Sequence, residues 1–201
     1  MTRIAAFDLD GTLTTRDCVV PFLRQVAGTP RLVAGVAAHP IEVSRALVRR
    51  DRDAFKALAS DAAFAGLALR DVEPRAAEFA AMVHANWMRS DTVRSLDAHL
   101  QAGDQVVIVS ASYAIYVEPL AAVLGVNQVL ATRLAVGADG RLTGELDGVN
   151  CRGPEKVRRL HEWLDAAHGG RSAVEVVAYG DSAGDREMLA DADERHLVGT
   201  P

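Results

Sequence analysis

The chain has 201 residues, of which 49% are apolar and 24% charged, enough for one substantial core and a smaller appended unit but not for two full-sized domains. Its formal net charge of −5 offers no general attraction for nucleic acid or an acidic membrane, and neither is expected as a partner. Cys18 and Cys151 lack a second cysteine or histidine at zinc-ligand spacing, and Asp8 interrupts the N-terminal apolar run, so reduced thiols and a cytoplasmic location are expected.

The first predicted strand covers residues 4–8, an apolar run that ends in Asp8-Leu9-Asp10-Gly11-Thr12. A side-chain period of two would send Asp8 and Asp10 the same way from its carboxyl end. Two carboxylates held that close need a cation between them or a shared proton, which points to a bound metal, an acid/base pair, or both.

Residues 14–90 read as helices without a convincing strand, broken at Gly28-Thr29-Pro30, at His39-Pro40 and around Gly66. The clearest helix is predicted behind Asp71 as N-cap, with Pro74 in its first turn and an apolar stripe at Val72, Ala76, Phe79, Val83 and Trp87. This stretch carries 11 Lys/Arg against 8 Asp/Glu, whereas the remainder carries 11 against 19. A small all-helical unit is therefore expected over 14–90, set into a core made of 1–13 and 91–201. Within it, Arg49-Arg50-Asp51-Arg52 reads as a solvated helix end, with Arg52 a candidate for reaching a substrate.

From residue 91 helices and strands alternate. A helix over 92–102 closes at Gly103, and a strand over 105–109 ends at Ser110; a helix over 113–124 and a strand over 128–131 follow. A hairpin over 133–147 turns at Asp139-Gly140, and Pro154 starts a helix running to about residue 167. A strand over 175–179 leads into Gly180-Asp181-Ser182-Ala183-Gly184-Asp185, a helix near 186–190 and a last strand over 196–198. The fold class is α/β, a doubly wound, mostly parallel Rossmann-like sheet, in which ligands sit outside the carboxyl ends of the strands. Asp8, Asp10, Ser110 and Asp181 fall at those ends and Lys156 at a helix start. No uncharged stretch is long enough for a membrane span.

The acids at these ends form an all-oxygen set, which suits Mg²⁺. Ser110 can donate to a phosphate oxygen, Lys156 supplies a positive charge, and backbone N–H groups around Leu9–Thr12 can cradle an anion. Together these parts fit phosphoryl transfer, whose developing charge spreads over the equatorial oxygens.

In the order and spacing of Asp8-Leu9-Asp10-Gly11-Thr12, Ser110, Lys156 and Gly180-Asp181…Asp185, the whole chain resembles the haloacid dehalogenase-like phosphatases, nearest to their phosphoserine phosphatase-like branch, subfamily IB. The helical insert resembles that family's first-position cap. The resemblance implies a nucleophile at Asp8 and an acid/base at Asp10. It implies phosphate contacts from Gly11, Thr12, Ser110, Ala111 and Lys156, and Mg²⁺ held by Asp8, Asp10 through its backbone carbonyl, Asp181 and Asp185. Asp17 and Arg52 are the candidate substrate contacts in the cap. Phosphoserine phosphatases usually have Ser at Gly11, Glu at Asp17, Gly-Gly at Ala111-Ser112 and Asn at Gly184, so a small phosphomonoester is expected and phosphoserine itself is one candidate among amino-alcohol phosphates. A phosphotransferase or mutase, and a non-catalytic sensor of a phosphorylated ligand, are the alternatives.

Overall fold

The computed structural model describes residues 1–199. Among them, six strands form one sheet: β1 (Thr2–Phe7), β2 (Gln105–Tyr113), β3 (Gln128–Val136), β4 (Leu142–Asp147), β5 (Val174–Gly180) and β6 (Glu194–Leu197). The strand order is β4-β3-β2-β1-β5-β6, with β4 antiparallel at one edge and the other pairings parallel. β1 lies between β2 and β5, where the winding reverses, and that reversal opens a crevice at its carboxyl end.

The central strands are apolar on both faces because both faces are covered. Ala5 and Phe7 of β1, Val106 and Ile108 of β2, and Val177 of β5 pack into one cluster; Ile4, Ala6, Val107, Val109 and Val176 pack into the other. Helices α8 (Pro154–His168) and α9 (Arg186–Asp191) close the second face through Leu160, Leu164 and Met188. Helices α6 (Ser90–Ala102) and α7 (Ala114–Val123) close the first through Leu96, Val117 and Leu120.

Residues 14–90 hold α1 (Val19–Ala27), α2 (Thr29–Ala37), α3 (Pro40–Arg49), α4 (Arg52–Phe64) and α5 (Leu69–Asn86). The predicted breakers act as expected: Gly28 separates α1 from α2, and Pro40 opens α3. Arg50, left-handed at φ 52°, ends α3, and Asp51 caps α4 by accepting from the N–H groups of Asp53 and Ala54 at 3.1 and 2.9 Å. The insertion leaves and returns through paired linkers, with Thr15 N–H donating to Trp87 O (2.8 Å) and Arg89 N–H to Leu13 O (2.8 Å). Its apolar core is continuous with that of the sheet: Phe22 of α1, Phe64 of α4 and Phe79 of α5 pack against Tyr113 and Tyr116.

Several boundaries differ from the sequence expectation. Helix α5 starts at Leu69 with Ala68 as N-cap, and Asp71 lies in its first turn. The cause is a tie to the β3–β4 hairpin: Ala68 bridges Arg141, and Leu69 N–H donates to Gly140 O (3.0 Å), so helix begins where that pairing ends. Strand β2 runs past Ser110 to Tyr113 through a register shift, and β3 runs unbroken from the parallel sheet into the hairpin. Strand β1 stops at Phe7; Leu9–Leu13 wind into a π-type turn, so Asp10 is placed by turn geometry and not by strand alternation. No helix among the described residues is long and apolar enough to cross a membrane.

Candidate active site

Asp8 follows β1 in extended backbone, and its N–H still bonds Tyr179 O at 3.0 Å, which fixes it to β5. The turn behind it is anchored by the buried side chains of Leu9 and Leu13 and reverses at Gly11, whose φ of +83° favours glycine. A Cβ on Gly11 would stand 2.1 Å from Asp181 Oδ2, so the missing side chain is also what lets that carboxylate approach the turn.

Lys156, in the first turn of α8 and 1% exposed, reaches across the crevice. Its Nζ donates to Asp8 Oδ1 (2.5 Å), Asp185 Oδ1 (2.6 Å) and Val109 O (2.7 Å), which uses all three ammonium donors. Oxygens of Asp8, Asp181 and Asp185 lie within 4.8 Å of one another. Burial raises the Asp8 pKa; Lys156 opposes the shift and Asp185 adds to it. The same two carboxylates raise the pKa of Lys156 against its own desolvation, so the ammonium stays charged. Three carboxylates facing one ammonium leave an excess of negative charge at the strand ends.

Asp10 points elsewhere. Its Oδ1 accepts the Cys18 N–H at 2.7 Å, and its Oδ2 accepts the hydroxyl of Ser112, which in turn accepts from Tyr116 OH at 2.5 Å. Burial first, and the charge of Asp17 second, push its pKa up to about 6, against the two donors that favour the ionised form. The Asp10 side chain is thus outside the carboxylate cluster, while Asp8 belongs to it and Gly11 borders it.

Ser110 is fully buried, and its Oγ accepts the Ser112 N–H at 3.0 Å. Thr12 is fully buried with its hydroxyl unpaired, at a cost of about 1–3 kcal/mol for an unmet polar group. The Ala111 carbonyl accepts from Thr132 Oγ1 (2.9 Å) and from Lys56 Nζ. Asp17 is exposed and accepts the Val20 N–H at 3.2 Å, which explains an acid at that position without a ligand, yet its charge is felt at Asp10 and Lys56. Arg52 is exposed at the start of α4 and is not drawn into the cluster.

Two groups of residues escaped the sequence reading. Ser112 and Tyr116 hold Asp10, and their signal was present as a hydroxyl and a phenol one helical turn apart just past Ser110. Lys56, Asn150 and Asp53 form a second network, buried at Lys56 and Asn150 and exposed at Asp53: Lys56 Nζ donates to Asn150 Oδ1 (2.7 Å) and Asn150 Nδ2 donates to Asp53 Oδ1 (2.6 Å). Lys56 shares the buried stripe of α4 with Ala59, Ser60, Ala63 and Phe64, a helical spacing that marks it as inward-facing. Burial lowers its pKa to about 8, with Asp10 the largest of the opposing charges.

A family model described as haloacid dehalogenase-like hydrolase matches residues 5–190. Protein CicA of Caulobacter vibrioides is 38% identical over 192 residues, covering 96% of this chain and 84% of that protein. A solved structure of a protein of unknown function from Bordetella pertussis Tohama I shares the fold with a TM-score of 0.78 at 24% identity, covering 98% of this chain and 90% of that one. A structure described as a phospho-aspartyl intermediate analogue of phosphoserine phosphatase has a TM-score of 0.66 at 19% identity, covering 98% and 86% of the two chains. The family match spans nearly the whole chain and all the motif residues at the crevice, and the chain belongs to the haloacid dehalogenase-like hydrolases.

Proposed function

We propose that the chain is a Mg²⁺-dependent phosphomonoesterase that hydrolyses a small phosphorylated metabolite through a phospho-aspartate on Asp8. The observation that carries this reading is the bridge from Lys156 to Asp8 and Asp185, beside Asp181, at the end of the central strand. The residues fit the metal. The donor set is all carboxylate, its negative charge exceeds what Lys156 neutralises, and Gly11 leaves room for Asp181 to close on Asp8. Asp8 and Asp181, with the Asp10 carbonyl and support from Asp185, would hold it, and the bound ion would supply positive charge to the phosphoryl oxygens.

The protein's own groups then divide the work. Lys156 takes Asp8 Oδ1, leaving Oδ2 to attack phosphorus; a new P–O bond forms to Asp8 as the bond to the substrate oxygen breaks. Asp10, with its raised pKa, gives its proton to that departing oxygen. The resulting Asp10 carboxylate accepts a proton from water as the water oxygen attacks phosphorus, the P–O bond to Asp8 breaks, and phosphate leaves. Ser110 and the unpaired Thr12 hydroxyl are donors available to a phosphate. Residues 14–90 serve as the cap that covers the crevice, with 1–13 and 91–201 as the catalytic core. Asp17, close enough to shift Asp10, favours a substrate with an ammonium group, and an amino-alcohol phosphate such as phosphoserine is the leading class.

The test is phosphate release from a panel of amino-alcohol, sugar and aryl phosphates with Mg²⁺, with Asp8→Asn as control. Release that is lost in the variant is expected. Folded protein that releases nothing from any member, or a variant with full activity, overturns the reading.

A further inference from the structure

Lys56 is carried by the inserted helix α4 but ends against the core at Ala111, next to the candidate phosphate contact Ser110. Its ammonium has three donors. One meets Ala111 O, one meets Asn150 Oδ1 at 2.7 Å, and the nitrogen stands 4.5 Å from the centroid of the Tyr113 ring. Asp53, one turn earlier on α4, holds the Asn150 amide at 2.6 Å, and Thr132 Oγ1 lies 2.9 Å from both Ala111 O and Asn150 Oδ1. With two donors bonded and the ring beside the nitrogen, the ammonium is held against the core.

The geometry has a consequence at Ser110. A peptide unit is planar, so drawing the Ala111 carbonyl towards Lys56 and Thr132 sends the Ser112 N–H the opposite way. That N–H is donated to Ser110 Oγ at 3.0 Å. A hydroxyl that accepts on one side keeps its own proton free to donate on another. We propose that Lys56 is a positioning residue: held by Asn150, it fixes the Ala111–Ser112 peptide so that Ser110 presents its proton to the substrate phosphate. The inference rests on the phosphatase reading for the identity of the ligand, and it adds that the inserted unit acts on the phosphate contacts through a peptide and not through the substrate.

The test compares wild type, Lys56→Met, Lys56→Arg, Ser110→Ala and the Lys56→Met/Ser110→Ala double variant, each loaded with Mg²⁺. Inorganic phosphate binding is measured by calorimetry, and kcat/KM on phosphoserine and on p-nitrophenyl phosphate. Lys56→Met is expected to weaken phosphate binding about tenfold, the order expected for one charge-assisted hydrogen bond, and to lower kcat/KM by a similar factor on both substrates. Lys56→Arg is expected to stay within about threefold of wild type, and Lys56→Met to add little once Ser110 is gone. A loss confined to phosphoserine would make Lys56 a substrate ligand, and a fully additive double variant would separate it from Ser110; either result overturns the proposal. If Lys56→Met does not fold, Asn150→Ala removes the anchor and carries the same comparison. Phosphate binding that follows the expected pattern in a protein that releases no phosphate would sink the phosphatase reading and keep the positioning role; wild type that binds no phosphate sinks both.

Discussion

Asp8 and Asp10 are the same residue two positions apart, and their surroundings give them different tasks. Asp8 faces an ammonium and two further carboxylates, whereas Asp10 faces two uncharged donors, Cys18 N–H and the Ser112 hydroxyl. The Asp10 pKa of about 6 lies above its ordinary 3.8, so its protonated form is fully present below about 4 and lost as pH rises through 6. A proton donated by Asp10 therefore predicts a kcat/KM that declines above about pH 6. Asp10→Asn should lower the rate roughly 10²–10⁴-fold and flatten that decline. The same sign makes ionised Asp10 a cost to the fold, so without metal at pH 7 Asp10→Asn should melt a few degrees above wild type, read by circular dichroism. At Gly11 the prediction concerns the cation. Gly11→Ala meets both the φ of +83° and the Asp181 carboxylate, and should weaken Mg²⁺ binding at least about tenfold by calorimetry; an unchanged affinity would remove Asp181 from the site.

At the scale of elements, α8 shows how one helix start serves both structure and site. Gly153 and Pro154 open it, and Lys156 points inward while Glu155 points out to Arg158 and Arg159, with Nε contacts at 2.7 and 2.8 Å. The Arg158 contact, above all, holds the Glu155 pKa down at about 2 from 4.5. A depressed acid stabilises the fold above its unfolded pKa and loses that effect as pH falls towards 2. Glu155→Gln should cost about 1 kcal/mol at pH 7 and nothing near pH 2, checked by urea unfolding at the two pH values. The start of α8 was legible because Pro154 is a punctuating residue, and the core strands were legible because a doubly covered sheet must be apolar on both faces. The start of α5 was not, because a distant hairpin decides it through Gly140 and Arg141. The inward turn of Lys56 lay in the helical period but was masked by its charge, since a lysine on a buried stripe declares itself only when Asn150 and Ala111 are in place to receive it. Asp8, Asp181, Asp185 and Lys156 come together from three separate stretches, as their positions at strand ends and a helix start suggested.

For the molecule as a whole, the positively charged insertion is joined to the acidic remainder of the chain by the paired linkers, by the aromatic cluster around Phe22 and Tyr116, by the Lys56 and Asp53 contacts of α4, and by the β3–β4 hairpin. The hairpin tie is the most restrictive. Gly66 N–H donates to Leu142 O (2.9 Å), Leu142 N–H to Leu67 O (2.8 Å) and Arg141 Nη1 to Gly66 O (2.6 Å). Beyond these contacts, α2 has no buried residue and α3 only Ala46, while Ile41, Leu47 and Val48 are exposed. The insertion therefore does not have one stability throughout. Amide hydrogen exchange should find α2 and α3 opening freely while α4, α5 and the hairpin exchange near the global rate. Uniform protection across all five helices would contradict this. A local unfolding free energy smaller in α2–α3 than in the rest would leave α4, and Lys56 with it, in place against Ala111 while those two helices open.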